Sequence, residues 1–378
     1  MKKYLLTLPV VCSLIAPLCA IGGRAQRQPE DNKSERPKVS HDVTPAAGPI
    51  VTRAADPYIT LDFIWWRAQE DGLAHAFNGN SVADEPAFGP APFAPATADR
   101  GSVKYPDFNY RPGFKAGFGL QFRHDGWDLF AQYTWWRNNK GHSKTITRRN
   151  TDFDSLVIVD IGCPSALLAN QAATAPSAIA TYDAQRSSGE WLLHFNAIDL
   201  ELGRNFWISE RLTLRPFVGL KGSWMKQDFD VQYLLIFATS FLNTSLDMDL
   251  RQWGIGLRTG VDTVWYMTNN WSVFGEFAIS GLCNHFKTSR KDFFSGSAIT
   301  DQLIVNLRNT INSVTAVIEW GLGFRYETLF HNDDYLYMLQ AGWEQQIWFD
   351  QNRFIFVPNS VPGNLTFQGL TVKTGFYF

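Results

Sequence analysis

Residues 112–136 of this chain read PGFKAGFGLQFRHDGWDLFAQYTWW, and the alternation within them decides the fold. Aromatic and aliphatic residues occupy every second position from Phe114 to Phe122, while lysine, glycine and glutamine fill the positions between. A period of two is typical of a β-strand with two different faces. His124-Asp125-Gly126 is a tight-turn signal, and a second alternating run follows from Trp127 to Trp135. This stretch therefore predicts a long β-hairpin.

The hairpin pattern recurs along the chain. The four hairpins lie at 114–135, 191–224, 253–279 and 314–343, and single strands at 58–66 and 369–378 flank the set. The 191–224 copy needs a β-bulge near Ala197 to keep its apolar residues on one face. Ten strands are therefore visible from the alternation alone.

Short turns alternate with long connecting segments between these strands. The long segments are 67–112, 138–189, 228–249, 283–313 and 349–365. Short turns on one side and long loops on the other are typical of an up-and-down transmembrane barrel with periplasmic turns and extracellular loops. Further strands at 155–161, 231–237 and 303–307 would widen it, so we expect an even number between ten and sixteen.

The composition supports an all-β antiparallel membrane barrel over a soluble sheet protein. Aromatic residues make up 15% of the 378 residues and stand at strand ends, as an interfacial girdle would. No run of 18 apolar residues follows the N-terminal segment, which argues against helical spans. The formal net charge of −2 offers no attraction to a polyanion, so nucleic acid is not an expected partner.

The two ends of the chain resemble targeting signals. Lys2 and Lys3 precede an apolar stretch, which predicts a signal peptide over 1–25 cleaved after Ala20 or Ala25. Residues 26–56 are polar and proline-punctuated, so we expect a flexible extension before a barrel over 57–378. The last strand carries aromatic residues that resemble a C-terminal signal for the barrel-assembly machinery, namely Phe376 and Phe378.

Three segments resemble a known family. They are DPYITLDFIWWRAQEDGL at 56–73, PGFKAGFG at 112–119 and GWDLFAQYTWW at 126–136. They are similar to the opening strands of the major-outer-membrane-protein-like pores of chlamydia-related and legionella-type bacteria. The resemblance implies an abundant outer-membrane barrel that acts as a passive diffusion pore without catalytic residues. Chlamydial members are often cysteine-rich, whereas only Cys163 and Cys283 follow the signal segment here.

Charged residues on the face opposite the apolar stripe are the candidate lumen lining. They are Asp62, Lys115, Arg123, Asp128, Asp199, Glu201, Arg215, Lys221, Arg258, Asp262, Glu276, Glu319, Arg325, Glu344 and Lys373. Seven are basic and eight acidic, and this balance predicts weak ion selectivity. The alternative is that they pair across strands and fill a narrow lumen.

Few residues suggest other chemistry. Cys163 and Cys283 both fall in predicted outer loops, where a disulfide could join them in an oxidising compartment. His331 beside Asp333-Asp334 is explained by turn chemistry, and no metal or cofactor motif is present in the sequence. We therefore expect neither an enzyme nor a cofactor-binding protein.

Two functions follow from this reasoning. The leading hypothesis is an outer-membrane porin that passes small hydrophilic solutes and ions, surrounded by lipid. The alternative is a plugged barrel that acts as a surface adhesin or structural envelope protein through its long extracellular loops. Association of barrels into a homo-oligomer stays open at this point.

Overall fold

A computed structural model of the chain describes residues 47, 55–81, 98–123, 125–138, 146–147, 156–157, 183–237, 240–296, 299–330, 335–355 and 363–378. The chain divides into Met1–Val43, which lies outside these residues, and Thr44–Phe378, which contains all of them. The predicted signal peptide and most of the predicted extension are therefore not described. The first strand begins at Ala55, two residues before the predicted start of the barrel.

The described residues form fifteen β-strands. These are β1 (Ala55–Glu70), β2 (Ala76–Ser81), β3 (Ala98–Lys104), β4 (Tyr110–Phe122), β5 (Trp127–Arg137), β6 (Ile146–Thr147), β7 (Leu156–Val157), β8 (Asp183–Arg204), β9 (Phe206–Ser209), β10 (Leu212–Phe237), β11 (Ser240–Tyr266), β12 (Trp271–Gly296), β13 (Ile299–Phe330), β14 (Tyr335–Asn352) and β15 (Gly363–Tyr377). No helix among the described residues is long and apolar enough to cross a membrane.

Ten of these strands close into one antiparallel barrel. Their order is β1, β4, β5, β8, β10, β11, β12, β13, β14 and β15, and β15 pairs back onto β1 from Tyr58↔Tyr377 to Glu70↔Leu365. The short strands β6 and β9 pair with β8 and β10, while β2, β3 and β7 form a separate three-stranded sheet. The predicted all-β, up-and-down barrel with ten strands is confirmed.

An apolar band bounded by two rows of aromatic residues surrounds the barrel. Exposed Trp127, Trp265 and Trp271 lie beside the short turns, and exposed Trp135, Trp224 and Trp253 lie farther along the strands. Between the rows, the outward side chains are aliphatic or aromatic, such as Leu257 at 69% exposure. From Trp253 to Trp265, a strand tilted by about 45° and rising about 3.3 Å per residue crosses about 28 Å. The band therefore matches the thickness of a bilayer core.

The predicted long loops at 228–249 and 283–313 were wrong. β10 pairs with β11 as far as Phe237↔Ser240, and β12 pairs with β13 as far as Gly296↔Ile299. The segments 231–237 and 303–307, proposed as extra strands, lengthen β10 and β13 instead. The barrel therefore has one end with short turns, the short-turn end, and one end where the strands run far beyond the apolar band, the extended end.

Local geometry explains one turn and corrects one expectation. Asp125 and Gly126, in the four-residue connection between β4 and β5, have φ angles of 61° and 70°, a left-handed conformation that Asp and Gly adopt readily in turns. The bulge expected near Ala197 was wrong, because β8 pairs in unbroken register with β5 and β10 around that residue. The apolar residues of β8 change faces there, from inward Phe195 to outward Ile198.

Candidate functional site

Fourteen of the fifteen predicted lumen residues lie on the inward face of the barrel strands. We call them the charged layer: Asp62, Lys115, Asp128, Asp199, Glu201, Arg215, Lys221, Arg258, Asp262, Glu276, Glu319, Arg325, Glu344 and Lys373. The remaining residue, Arg123, is exposed in the turn between β4 and β5, at the mouth of the interior. The charged layer holds six cationic and eight anionic groups.

Arg215 joins three carboxylates of the charged layer. Its guanidinium donates to Asp128 at 3.0 Å, Glu201 at 3.0 Å and Asp262 at 2.8 Å. The Tyr58 hydroxyl donates to the same Asp128 carboxylate at 3.1 Å. One side chain from β10 thereby joins carboxylates from β5, β8 and β11, so the layer ties the walls of the barrel together.

A second cluster lies farther from the short turns. Lys221 Nζ contacts Asp199 at 2.8 Å and Glu319 at 2.6 Å. Arg258 pairs with Glu201 and, at 2.6 Å, with Glu319. Because every one of these carboxylates has a cationic partner, the charges here neutralise one another rather than facing open solvent.

The opposite wall carries a third cluster. Lys115 Nζ pairs with Glu344 at 2.6 Å, and the Thr371 hydroxyl donates to the same carboxylate at 2.9 Å. Trp66 Nε1 in turn donates to Thr371 Oγ1 at 3.1 Å. This chain of contacts links the charged layer to the residues above it.

A cavity of about 520 Å³ lies inside the charged layer. Its wall includes Arg123, Gly126 and Asn205 at the short-turn end and reaches Glu344 and Gln346 deeper in the barrel. The cavity is large enough for several water molecules or a small polar solute. It therefore forms a polar vestibule that begins at the short-turn end.

Between the charged layer and the extended end, the inward side chains become mostly apolar. The sequence analysis missed this change. A buried apolar cluster fills the interior there, and we call it the apolar layer: Ile64, Trp66, Ala68, Leu73, Trp136, Trp191, Leu193, Phe195, Ala197, Met225, Phe229, Val231, Tyr233, Leu246, Met248, Leu250, Leu282, Phe286, Val317, Trp348, Phe354, Leu365 and Phe367. Nine of the ten barrel strands contribute to it. The sequence analysis identified the charged part of this face but not its apolar part.

Ring contacts pack the lower part of the apolar layer. Phe367 lies 4.5 Å from Phe195 and 5.5 Å from Trp136, measured between ring centroids, and Trp348 lies 5.5 Å from Phe195. β4, the barrel strand without a side chain in the apolar layer, places Gly113 beside it. A Cβ at Gly113 would stand 2.9 Å from the Trp136 ring. Glycine is needed at this position because the indole ring occupies the space of a side chain. The available sequence signal for this packing was Trp65-Trp66 in β1, because consecutive tryptophans place one aromatic ring on each face of the strand.

A few polar groups are enclosed with the apolar layer. Trp191 Nε1 donates to Gln227 Oε1 at 2.9 Å, and Gln227 Nε2 donates to Glu70 Oε1 at 3.3 Å. Glu70 lies beyond the apolar band, at the end of β1, and burial raises its carboxyl pKa from 4.5 to about 8. Glu70 is therefore protonated at neutral pH, which suits an apolar surrounding.

His75 and Ser187 form the one histidine–serine hydrogen bond among the described residues. His75 Nδ1 lies 2.9 Å from Ser187 Oγ, and both side chains are 0% exposed. Burial lowers the pKa of His75 to about 4, so its imidazole is neutral. A nucleophile must reach its substrate, so this enclosed pair is a structural contact.

The remaining predicted site residues fall outside the interior. Cys283 lies on the exposed outer face of β12, opposite Ile255 and Val314, so its predicted position in an outer loop was wrong. Cys163 lies outside the described residues, and the bridge between the two cysteines stays a prediction. Phe376 and Phe378 stack edge to face at 4.8 Å on the terminal strand.

Metal and catalytic motifs give no further candidates in the described residues. No group of three His, Cys, Asp or Glu side chains there could hold a metal ion. His331, Asp333 and Asp334 lie outside the described ranges. Asp125, in the turn, pairs with Arg204 at 2.7 Å, as expected for a structural role.

Comparisons with known proteins place the barrel among outer-membrane proteins. A family model described as the Legionella pneumophila major outer membrane protein precursor matches residues 49–378. No curated protein matches the sequence.

Several solved structures match the chain at low sequence identity. The outer membrane protease OmpT from Escherichia coli is 8% identical, with a TM-score of 0.33, covering 85% of this chain and 96% of its own. A Pseudomonas aeruginosa FadL homologue is 8% identical, with a TM-score of 0.26 and coverage of 86% and 90%. The Pseudomonas putida toluene transporter TodX is 7% identical, with a TM-score of 0.25 and coverage of 86% and 90%. Likenesses at this level carry no inference about activity.

The family match covers the whole described barrel. The resemblance to major-outer-membrane-protein-like proteins that the sequence predicted is therefore confirmed. The apolar band and the closed ten-stranded sheet are what residence in a bilayer requires. The chain belongs to the family of the Legionella pneumophila major outer membrane protein and is an outer-membrane β-barrel protein.

Proposed function

We propose that this barrel is closed to diffusing solutes and acts at the cell surface as a structural or adhesive envelope protein. The observation that carries the proposal is the apolar layer, to which strands on all sides of the barrel contribute. A hydrated ion would have to lose its water to pass between these buried rings, and desolvation of a charge is costly.

The strand number supports the same proposal. Eight-stranded barrels are just wide enough for side chains to fill, while porins of sixteen to eighteen strands leave an aqueous channel. Ten strands are near the filled limit, and large residues such as Trp136, Trp348 and Phe367 take up the space.

The extended end supports a role outside the membrane. A membrane strand needs about 9–11 residues, whereas β11 has 27 and β13 has 32. From Trp253 to Ser240, β11 continues beyond the apolar band for about 30 Å, using the same rise and tilt. A rigid wall of this height presents the connecting segments well above the lipid.

A diffusion pore is the second candidate, and the vestibule of about 520 Å³ within the charged layer favours it. Movement of the apolar layer would have to join this vestibule to the extended end. We also infer that the protein is not an enzyme, since the histidine–serine pair of the described residues, His75 and Ser187, is enclosed and cannot reach a substrate.

Single-channel recording tests the proposal. The full chain, folded in detergent and shown to be β-structured, is inserted into a planar bilayer under a salt gradient. We expect no discrete conductance steps from verified, inserted protein. Regular steps with weak ion selectivity would overturn the closed barrel and establish the pore.

A further inference from the structure

A continuous row of basic side chains crosses the outer wall of the barrel. We call it the basic row: Arg137, His194, Lys226, Arg251 and Lys287. Each member is the direct cross-strand partner of the next, through Arg137↔His194, His194↔Lys226, Lys226↔Arg251 and Arg251↔Lys287. The row spans five neighbouring strands, or about 19 Å at about 4.8 Å per strand.

The basic row lies directly above the lipid-facing surface. Two residues nearer the short turns, a parallel row contains Trp135, Trp224 and Trp253, all exposed. Below it come outward aliphatic side chains, including Leu220 and Ile255. Tryptophan marks the boundary between acyl chains and headgroups, and Trp253 bounds the apolar band, so Arg251 lies at headgroup depth. Because the strands tilt by about 45°, the row climbs by about 3 Å per strand, from Arg137 on the lipid side to Lys287 on the outer side.

Repulsion among the cations of the basic row destabilises the sheet unless an anion lies beside them. Like charges directly opposite each other on neighbouring strands destabilise a sheet, yet Lys226, Arg251 and Lys287 are consecutive neighbours. Lys226 pairs with Asp228 at 2.8 Å. Within the described part of the chain, Arg137, Arg251 and Lys287 have no acidic side chain at ion-pair distance.

The acidic residues of this wall lie farther from the lipid. Asp228 and Asp249 are cross-strand partners one step beyond the basic row, and Asp230 and Asp247 follow at the next step. An anion at the membrane surface therefore meets the cations first, and the carboxylates stand toward the outside.

We propose that the basic row binds the phosphate groups of an anionic, phosphorylated glycolipid in the outer leaflet. Guanidinium and ammonium groups are good partners for phosphate oxygens, and the tryptophan row and apolar band would receive the sugar edge and acyl chains. The proposal goes beyond the proposed function, because it requires only that the extended end faces outward, whether or not the barrel conducts.

Lipid binding to a matched pair of variants tests this proposal. The full chain in neutral detergent is titrated with bisphosphorylated lipid A, and bound lipid is counted by native mass spectrometry. The variant R251Q/K287Q removes two cations of the row. The control K291Q/R308Q removes one lysine and one arginine from the same wall but outside the row. All four side chains are exposed, so we expect both variants to fold.

We expect the row variant to bind lipid A about 30-fold more weakly than wild type, from about 1 kcal/mol for each surface cation. The control should stay within about twofold of wild type, since its cations lie farther from the phosphate plane. Lipid A without phosphates should bind wild type as weakly as the row variant binds the full lipid.

Three outcomes would overturn the proposal. The first is equal affinity of wild type and the row variant, and the second is an equal loss in the control variant. The third is displacement of lipid A by millimolar inorganic phosphate, which would assign the row to free phosphate rather than to a lipid.

Discussion

The charged layer and the apolar layer fill neighbouring halves of the same barrel interior in opposite ways. Near the short turns, Arg215 alone joins three carboxylates, whereas beyond them Phe367 packs among aromatic rings. The apolar layer lies level with and beyond the upper tryptophan row, where the outer wall leaves the acyl chains for the headgroups and water. Within the lipid band, the outward side chains are apolar and the polar groups point inward. Beyond the band, the outward side chains are polar and the apolar groups point inward.

Removing the central cation should cause the largest loss of stability. Arg215→Met would leave Asp128, Glu201 and Asp262 without their shared partner, and breaking a buried ion pair costs about 3–5 kcal/mol. We expect a loss near the upper end of that range. Urea unfolding of the barrel in lipid vesicles measures it.

Two related variants show whether charge is the cause. Arg215→Lys keeps the charge and should lose less stability than Arg215→Met. Adding Asp262→Asn to Arg215→Met should restore part of the loss, since one unpaired carboxylate is gone. Equal losses in all three variants would show that packing, not charge, holds this half together.

Truncation in the apolar layer should rank second. Phe367→Ala leaves a cavity among Trp66, Trp136 and Phe195, and buried Phe→Ala changes cost about 3–5 kcal/mol, so we expect about 3 kcal/mol after relaxation. Urea unfolding gives the loss, and single-channel recording shows whether the thinned layer conducts.

A lipid-facing phenylalanine is the matched control for this change. Phe324 is 59% exposed on the apolar band, and lipid can fill the space that Phe324→Ala leaves. The control should lose less stability and should never conduct. If it loses as much as Phe367→Ala, the apolar layer is not a close-packed core.

The same contrast explains what could be predicted from sequence. Within the lipid band, lipid and interior alternate along every strand, so the face assignments of Lys115, Arg258 and Glu319 followed from period two. Beyond the band the pattern inverts, with Phe229 and Val231 inside and Asp228 and Asp230 outside. The outward aspartates made this segment resemble a polar loop in the sequence, although β10 continues through it.

The interior packing was not readable for a related reason. Phe195 and Ile198 differ by an odd number of residues, which suggested a bulge in β8 if one apolar face was assumed. The strand is regular, and its apolar face changes where the wall leaves the lipid. Sequence periodicity records which face is dry, and it cannot distinguish lipid from a protein core as the cause.

The pH dependence of stability should sharpen the comparison further. Glu70 has a pKa of about 8 in the folded protein and about 4.5 when unfolded. Between these values the folded state holds a proton that the unfolded chain has lost, so stability is full below pH 4.5 and falls as pH rises toward 8. The slope is about 1.4 kcal/mol per pH unit, or about 3 kcal/mol from pH 5 to pH 7.

Glu70→Gln isolates this contribution, because glutamine is neutral at every pH and similar in shape. The difference in unfolding free energy between wild type and variant should change in the variant's favour from pH 5 to pH 7. His75, with its lowered pKa, gives the opposite slope below pH 6.5, and comparing two proteins that both contain it removes that effect. A pH-independent difference would mean that Glu70 is ionised within the apolar layer.

The smallest effect should come from an ion pair outside both layers. Arg204 and Asp125 pair at 2.7 Å in the turn at the short-turn end, with side chains 23% and 42% exposed. Exposed pairs contribute about 0–1 kcal/mol, so Arg204→Gln should shift the urea midpoint little and less still at high salt. Arg204 pairs with Asp125 in solvent, and Arg215 pairs with Asp128 in the barrel interior. The two variants therefore compare the same arginine–aspartate contact in two surroundings. A loss at Arg204 as large as that at Arg215 would show that burial adds nothing to the charged layer, and the distinction between its half of the interior and the solvent-exposed rim would fail.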